Sequence, residues 1–162
     1  MSREIIAQPL TAAAFSEFGD VLEVVGAPDK VINQGLCGRY HDLANLDFGP
    51  GGVAGISLFD AQPRSLPYEL TLLERHPDGS QAFLPMSEHP FLLIVAEDID
   101  GSPGRPQAFL TSPGQGVNYF RGTWHGVLTP LQAPGLFAVV DRIGGSPNLE
   151  EFLLDLPYLV IS

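Results

Sequence analysis

The hydrophobic positions of this chain fall in short runs, few of them long enough, or spaced correctly, for a helix of ordinary length. Ile5 to Leu10 reads as a first strand, and Thr11 is placed to cap a short helix through Ala12, Ala13, Ala14 and Phe15 that Gly19 ends. Asp20 to Val25 reads as a strand, Gly26-Ala27-Pro28-Asp29 as a turn, and Val31 to Leu43 as irregular or edge structure because its periodicity is weak. After the loop Gly49-Pro50-Gly51-Gly52, the run Val53 to Phe59 has the length and apolar content of a buried strand. Tyr68 to Leu73, Gln81 to Met86 and Pro90 to Ala96 follow as strands, the last apolar enough to be buried on both faces. Beyond an acidic Gly/Pro turn from Glu97 to Pro106, short strands are expected at Gln107 to Thr111, near Val117 to Phe120 and at Leu136 to Asp141. Asn148 to Leu154 reads as a helical turn and Leu156 to Ile161 as the last strand. Short strands punctuated by Gly and Pro predict an all-β sandwich or barrel.

Composition sharpens this picture. A chain of 162 residues is most economically one domain, residues 1–162, and 18 Gly and 15 Pro against 17% charged residues agree with many turns. The formal charge of −11, from 19 acidic and 8 basic residues, removes the basic footprint that nucleic acid or an anionic membrane surface requires. The expected partner is therefore a small molecule, and an anionic one must rely on local cations. Cys37 is the sole cysteine, so no intrachain disulfide, zinc knuckle or redox CxxC exists. The stretch from Met1 to Pro9 lacks the apolar core of a signal peptide, and later apolar runs stop short of membrane-spanning length. A cytoplasmic protein is expected.

Two stretches concentrate the polar groups. If the strand from Tyr68 to Leu73 continues, Glu74 and His76 share one face, because side chains alternate with period two. Pro77-Asp78-Gly79 is turn chemistry, so the chain is expected to reverse and return Gln81 beside them as one hairpin. Glu74-x-His76, four residues, then Gln81 has the spacing of the first motif of the cupin superfamily, with Glu for its first His and Gln for its Glu. Gly114, five residues, Phe120-Arg121-Gly122, two residues, then His125 resembles the second motif, with Phe120 for its Pro. A jelly-roll barrel would gather Glu74, His76, Gln81 and His125 around a common point. The longer stretches FSEFGDV (15–21), RYHDLA (39–44), LERHPDGSQAFLPM (73–86), QGVNYFRGTWH (115–125) and DRIGGSPN (141–148) resemble the ureidoglycolate lyase family nearly end to end.

That resemblance implies an all-β, cupin-like double-stranded β-helix (jelly-roll) barrel with a short N-terminal helix, a homodimer, and cleavage of (S)-ureidoglycolate to glyoxylate and urea in allantoin and purine degradation. It implies a divalent metal, nickel foremost, with Glu74, His76, Gln81 and His125 as ligands and Glu74, His76 and His125 as the catalytic groups. Oxygen and nitrogen donors without a thiolate suit Ni, Zn, Mn or Fe(II), although the same residues also make sense as a hydrogen-bonded polar cluster with no ion. For the substrate, Arg39 leads as carboxylate clamp, with Arg121 and Arg142 as competitors. Gln81, Asn118 and Tyr119 are candidate hydrogen bonders, and His41, beside Asp42, is either a functional imidazole or a surface residue. Arg75 falls on the face opposite Glu74 and His76 and is assigned to packing or a salt bridge, Trp124 to a wall, and DRIGGSPN to a turn. Two rival functions stay open: a ureidoglycolate amidohydrolase releasing ammonia, and a non-catalytic cupin sensor of small acids.

Overall fold

The computed structural model of the chain describes residues 3–162; Met1 and Ser2, which the reading of the N-terminus included, lie outside them. Two antiparallel-rich sheets face each other and nearly close into a barrel, as the all-β expectation requires. The first sheet runs in the order Glu4–Ile6, Glu150–Ile161, Tyr68–Arg75, Trp124–His125, Phe91–Ala96, Gln107–Leu110 and Gln8–Pro9, with Thr129–Pro130 also on Phe91–Ala96. The second runs Gly19–Leu22, Gly116–Tyr119, Gln81–Pro85, Leu136–Ile143 and Val53–Asp60. No described helix is long and apolar enough to cross a membrane.

Alternation along Phe91–Ala96 explains the packing. Phe91, Leu93 and Val95 face the second sheet and join Phe83, Val117, Tyr119, Phe137 and Val139 in a core that Phe15, Phe18 and Phe109 extend. Leu92, Ile94 and Ala96 point the other way, into a second cluster with Leu73, Trp124 and Val160. Both faces of this strand are thus buried, as its continuous apolar run predicts. Aromatic edges meet aromatic faces inside the first cluster, with Phe91 and Phe137 at 4.9 Å and 78°. Burying one such ring stabilises the fold by about 1.5–3 kcal/mol relative to leaving it exposed.

Several expectations are corrected. The stretch from Tyr68 to Gln81 is not a hairpin: Tyr68–Arg75 belongs to the first sheet and Gln81–Pro85 to the second, so the Pro77 turn carries the chain across the barrel. Ile5 to Leu10 is two short strands, Glu4–Ile6 parallel to the C-terminal strand and Gln8–Pro9 parallel to Gln107–Leu110. Thr11 does cap the helix, its Oγ1 accepting from the Ala14 amide at 3.2 Å, but the helix stops at Phe15 and Gly19 begins the next strand. Val53–Asp60 is an edge strand and not a buried one, with Ile56 77% and Leu58 64% exposed. The helical turn expected from Asn148 to Leu154 is absent, because Glu150–Ile161 pairs with Tyr68–Arg75 and Glu150 closes an ion pair on Arg75. The irregular stretch after Val31 is a small ribbon, Lys30–Ile32 against Cys37–Arg39.

Candidate active site

Glu74 and His125 are cross-strand partners in the first sheet, and His76 lies one residue beyond the strand on the face of Glu74. Glu74, His76 and His125 each bring one ligand atom to within 4.8 Å of the others. The second sheet supplies the opposite wall. Tyr119 lies flat on the His125 ring at 4.2 Å and 6°, and Gln81 pairs across strands with both Tyr119 and Asp141. The two polar stretches are also tied directly, since Gly122 N–H donates to the His76 carbonyl at 2.9 Å and Arg121 Nε–H to the Pro77 carbonyl at 2.6 Å.

Hydrogen bonding sets the imidazole tautomers. His76 Nδ1 is 2.8 Å from the Asn148 carbonyl and His125 Nδ1 is 2.9 Å from the Gly126 carbonyl. A carbonyl oxygen only accepts, so each Nδ1 carries a proton, and in the neutral form of either ring the lone pair belongs to Nε2. Both Nε2 atoms are buried without a partner, and so is Gln81 Oε1. Gln81 Nε2 donates to Asp141 Oδ2 at 3.1 Å, which turns the amide oxygen away from Asp141.

Burial shapes the charges. It is the main force holding the His125 pKa down to about 3, helped by the charge of His76 and partly offset by the Gly126 carbonyl. Burial also raises Glu74 above the ordinary carboxylate range; His76 opposes that shift and Glu151 adds to it. Tyr119 is pushed above the ordinary phenol range by burial and then by Glu74, so it remains a neutral phenol.

A cleft of about 390 Å³ opens beside these groups, lined by Glu74, His76, Gln81, Asp141, Arg142 and Asn148 among others. Its uncommitted buried atoms are mainly acceptors, and leaving such an atom unpaired costs about 1–3 kcal/mol. A divalent cation satisfies lone pairs of this kind, and a set of one carboxylate and two neutral imidazoles fits such an ion. A second cleft, of about 370 Å³ around Trp124 and Arg121, holds neither histidine.

Of the residues singled out from sequence, the structure brings Glu74, His76, Gln81, His125 and Tyr119 together. Arg39 and His41 lie exposed at and beyond the Cys37–Arg39 strand and do not line the cleft. Asn118 is fully buried on the other side of its strand, donating to Asp20 Oδ2 at 3.1 Å and to the Asn45 carbonyl at 3.2 Å. Arg75 stacks over Trp124 and pairs with Asp98 and Glu150, as its strand face predicts. Sequence reasoning assigned no chemistry to Asp141 and Asn148, which sit in the stretch taken for a turn. For Asp141 the available signal was its place as the polar end of the strand read from Leu136 to Asp141.

Comparison with known proteins shows the family. The sequence profile of the family described as ureidoglycolate lyase matches residues 2–161. A ureidoglycolate lyase of Rhodobacter capsulatus is 63% identical over 156 residues, covering 96% of this chain and 97% of the relative. That of Chelativorans sp. is 51% identical over 157 residues, covering 96% and 95%. That of Mesorhizobium japonicum is 52% identical over 149 residues, covering 91% of each.

Proposed function

Since this chain belongs to the ureidoglycolate lyase family and is an enzyme of that lyase class, we propose that it splits ureidoglycolate into glyoxylate and urea at the Glu74–His76–His125 end of its barrel. The observation that carries this placement is the convergence of three ligand atoms within 4.8 Å, with both imidazoles turned to present Nε2. Those three residues would hold a divalent ion, nickel foremost among the expectations, which would supply a Lewis acid for the substrate hydroxyl.

The rest of the chemistry belongs to the chain. Glu74 takes the hydroxyl proton, and the O–H electron pair becomes the new carbonyl. The C–N pair leaves with the ureido nitrogen, and Glu74 returns the same proton to that nitrogen. Atoms balance without water. Without the ion, burial raises the proton affinity of Glu74, in the direction a base requires. His125, with its pKa near 3, stays neutral at physiological pH and contributes a lone pair, so it is not the acid. Arg142 is the one arginine or lysine among the residues lining the cleft and is the candidate carboxylate anchor in place of Arg39. Its Nη1 donates to the Phe48 and Pro50 carbonyls, while its buried Nε has no partner.

The proposal extends to assembly and compartment. The homodimer forms through the outer face of the second sheet, where exposed Ile56 and Leu58 adjoin Val140, Ala138 and Leu84 across neighbouring strands. The free thiol of Cys37 suits a reducing cytoplasm.

The deciding experiment incubates chelator-treated protein with ureidoglycolate, with and without added divalent ions, and follows glyoxylate, urea and ammonia separately. Equal release of glyoxylate and urea, restored by an added ion, is expected. Ammonia in place of urea would replace the lyase with an amidohydrolase. Glyoxylate binding without product would leave a small-acid sensor.

A further inference from the structure

We infer that Gln81, oriented by Asp141, is the acceptor that recognises the ureido group of the substrate, an assignment that rests on the lyase reading of this cleft. Gln81 is 6% exposed and Asp141 is its direct cross-strand neighbour, so their side chains meet on the cleft side of the second sheet. A carboxylate accepts and never donates when ionised, so the 3.1 Å contact assigns Gln81 Nε2 to Asp141 Oδ2. The amide is thereby locked with Oε1 outward, and that oxygen is buried with no partner in the protein. Both residues line the cleft that holds Glu74 and His76.

The substrate has one complement to such an oxygen. Its carboxylate is itself an acceptor and is repelled by Asp141. Its hydroxyl is claimed by Glu74 during the reaction. Only the ureido group brings N–H donors, and a buried acceptor left empty by a ligand without them is penalised by its full desolvation. Asp141 is then a positioning residue. Without its charge, the amide is free to turn its NH₂ into the cleft and present a donor where the ligand also has donors.

Binding of two uncleavable acids tests this by calorimetry. Hydantoate carries carboxylate and ureido groups without the hydroxyl; glycolate carries carboxylate and hydroxyl without the ureido group. Gln81→Met and Asp141→Asn are expected to weaken hydantoate binding at least tenfold while leaving glycolate within about twofold. Asp141→Glu, which keeps the carboxylate, is expected to recover part of the loss. Equal weakening of both ligands, unchanged hydantoate affinity, or no hydantoate binding by the wild-type protein would overturn the assignment. Loss of bound nickel from Gln81→Met would make Gln81 a metal ligand instead. Turnover of ureidoglycolate by the wild type, measured in parallel, separates the two ideas. Turnover without hydantoate discrimination removes the amide acceptor alone, whereas discrimination without turnover removes the lyase reading and leaves the ureido-binding pair.

Discussion

Burying the His125 imidazole against Tyr119 ties stability to pH. Its native pKa lies near 3 against an ordinary 6.5, so between those values the unfolded chain takes up a proton that the folded protein refuses. The stabilisation is complete above about pH 6.5 and is lost as the pH falls toward 3, with a slope of up to about 1.4 kcal/mol per pH unit. Glu74 acts in the opposite sense. Its raised native pKa favours the fold most below the ordinary 4.5 and less as the pH rises through the native value. His125→Gln should separate the two. Urea midpoints between pH 4 and 7 should rise with pH in the wild type more steeply than in the variant, and parallel slopes would remove the buried neutral imidazole as the cause. The same variant is expected to retain the native circular dichroism spectrum and to lose about 10²-fold or more in kcat, because it withdraws a lone pair from the ion that would polarise the substrate hydroxyl. Wild-type turnover would take His125 out of the site.

At the scale of elements, the approach of Gly19–Leu22 to Gly116–Tyr119 depends on a missing side chain. A Cβ on Gly19 would stand 1.9 Å from the Asn118 carbonyl oxygen, a backbone atom that cannot swing aside. Gly19→Ala is expected to destabilise the protein by about 1–3 kcal/mol or more, read from its denaturant midpoint, and an unchanged midpoint would mean that the two strands can separate freely. The same glycine was legible in sequence only as a helix terminator, because a close approach between strands leaves no local signature. The run Phe91 to Ala96 was fully legible, since six consecutive apolar residues have no solvent-facing side to offer. Of Glu150–Ile161 only the part from Leu156 onward was legible; the part before it takes its strand character from pairing with Tyr68–Arg75, far earlier in the chain, and from the Glu150–Arg75 ion pair.

For the whole molecule, the outer face of the second sheet makes assembly testable. Ile56→Glu together with Leu58→Lys should convert a dimer to a monomer in light scattering while leaving the core packing of Phe83, Phe137 and Val139 untouched. A dimer that survives both changes would place the interface elsewhere. The site itself is also a property of the whole barrel: Glu74 and His125 come from one sheet, His76 from just beyond its strand, and Gln81, Tyr119 and Asp141 from the other sheet. By itself the sequence determined the all-β class, the doubly buried strand and the spacing of Glu74, His76, Gln81 and His125, because alternation, turn residues and motif spacing are local quantities. Only the tertiary structure decided that the Pro77 turn crosses between sheets, that Asn118 faces away while Asp141 and Arg142 line the cleft, and that Arg39 lies outside it. Those outcomes follow from which strands face each other across the core, and that is set by the summed burial of side chains distant in the chain.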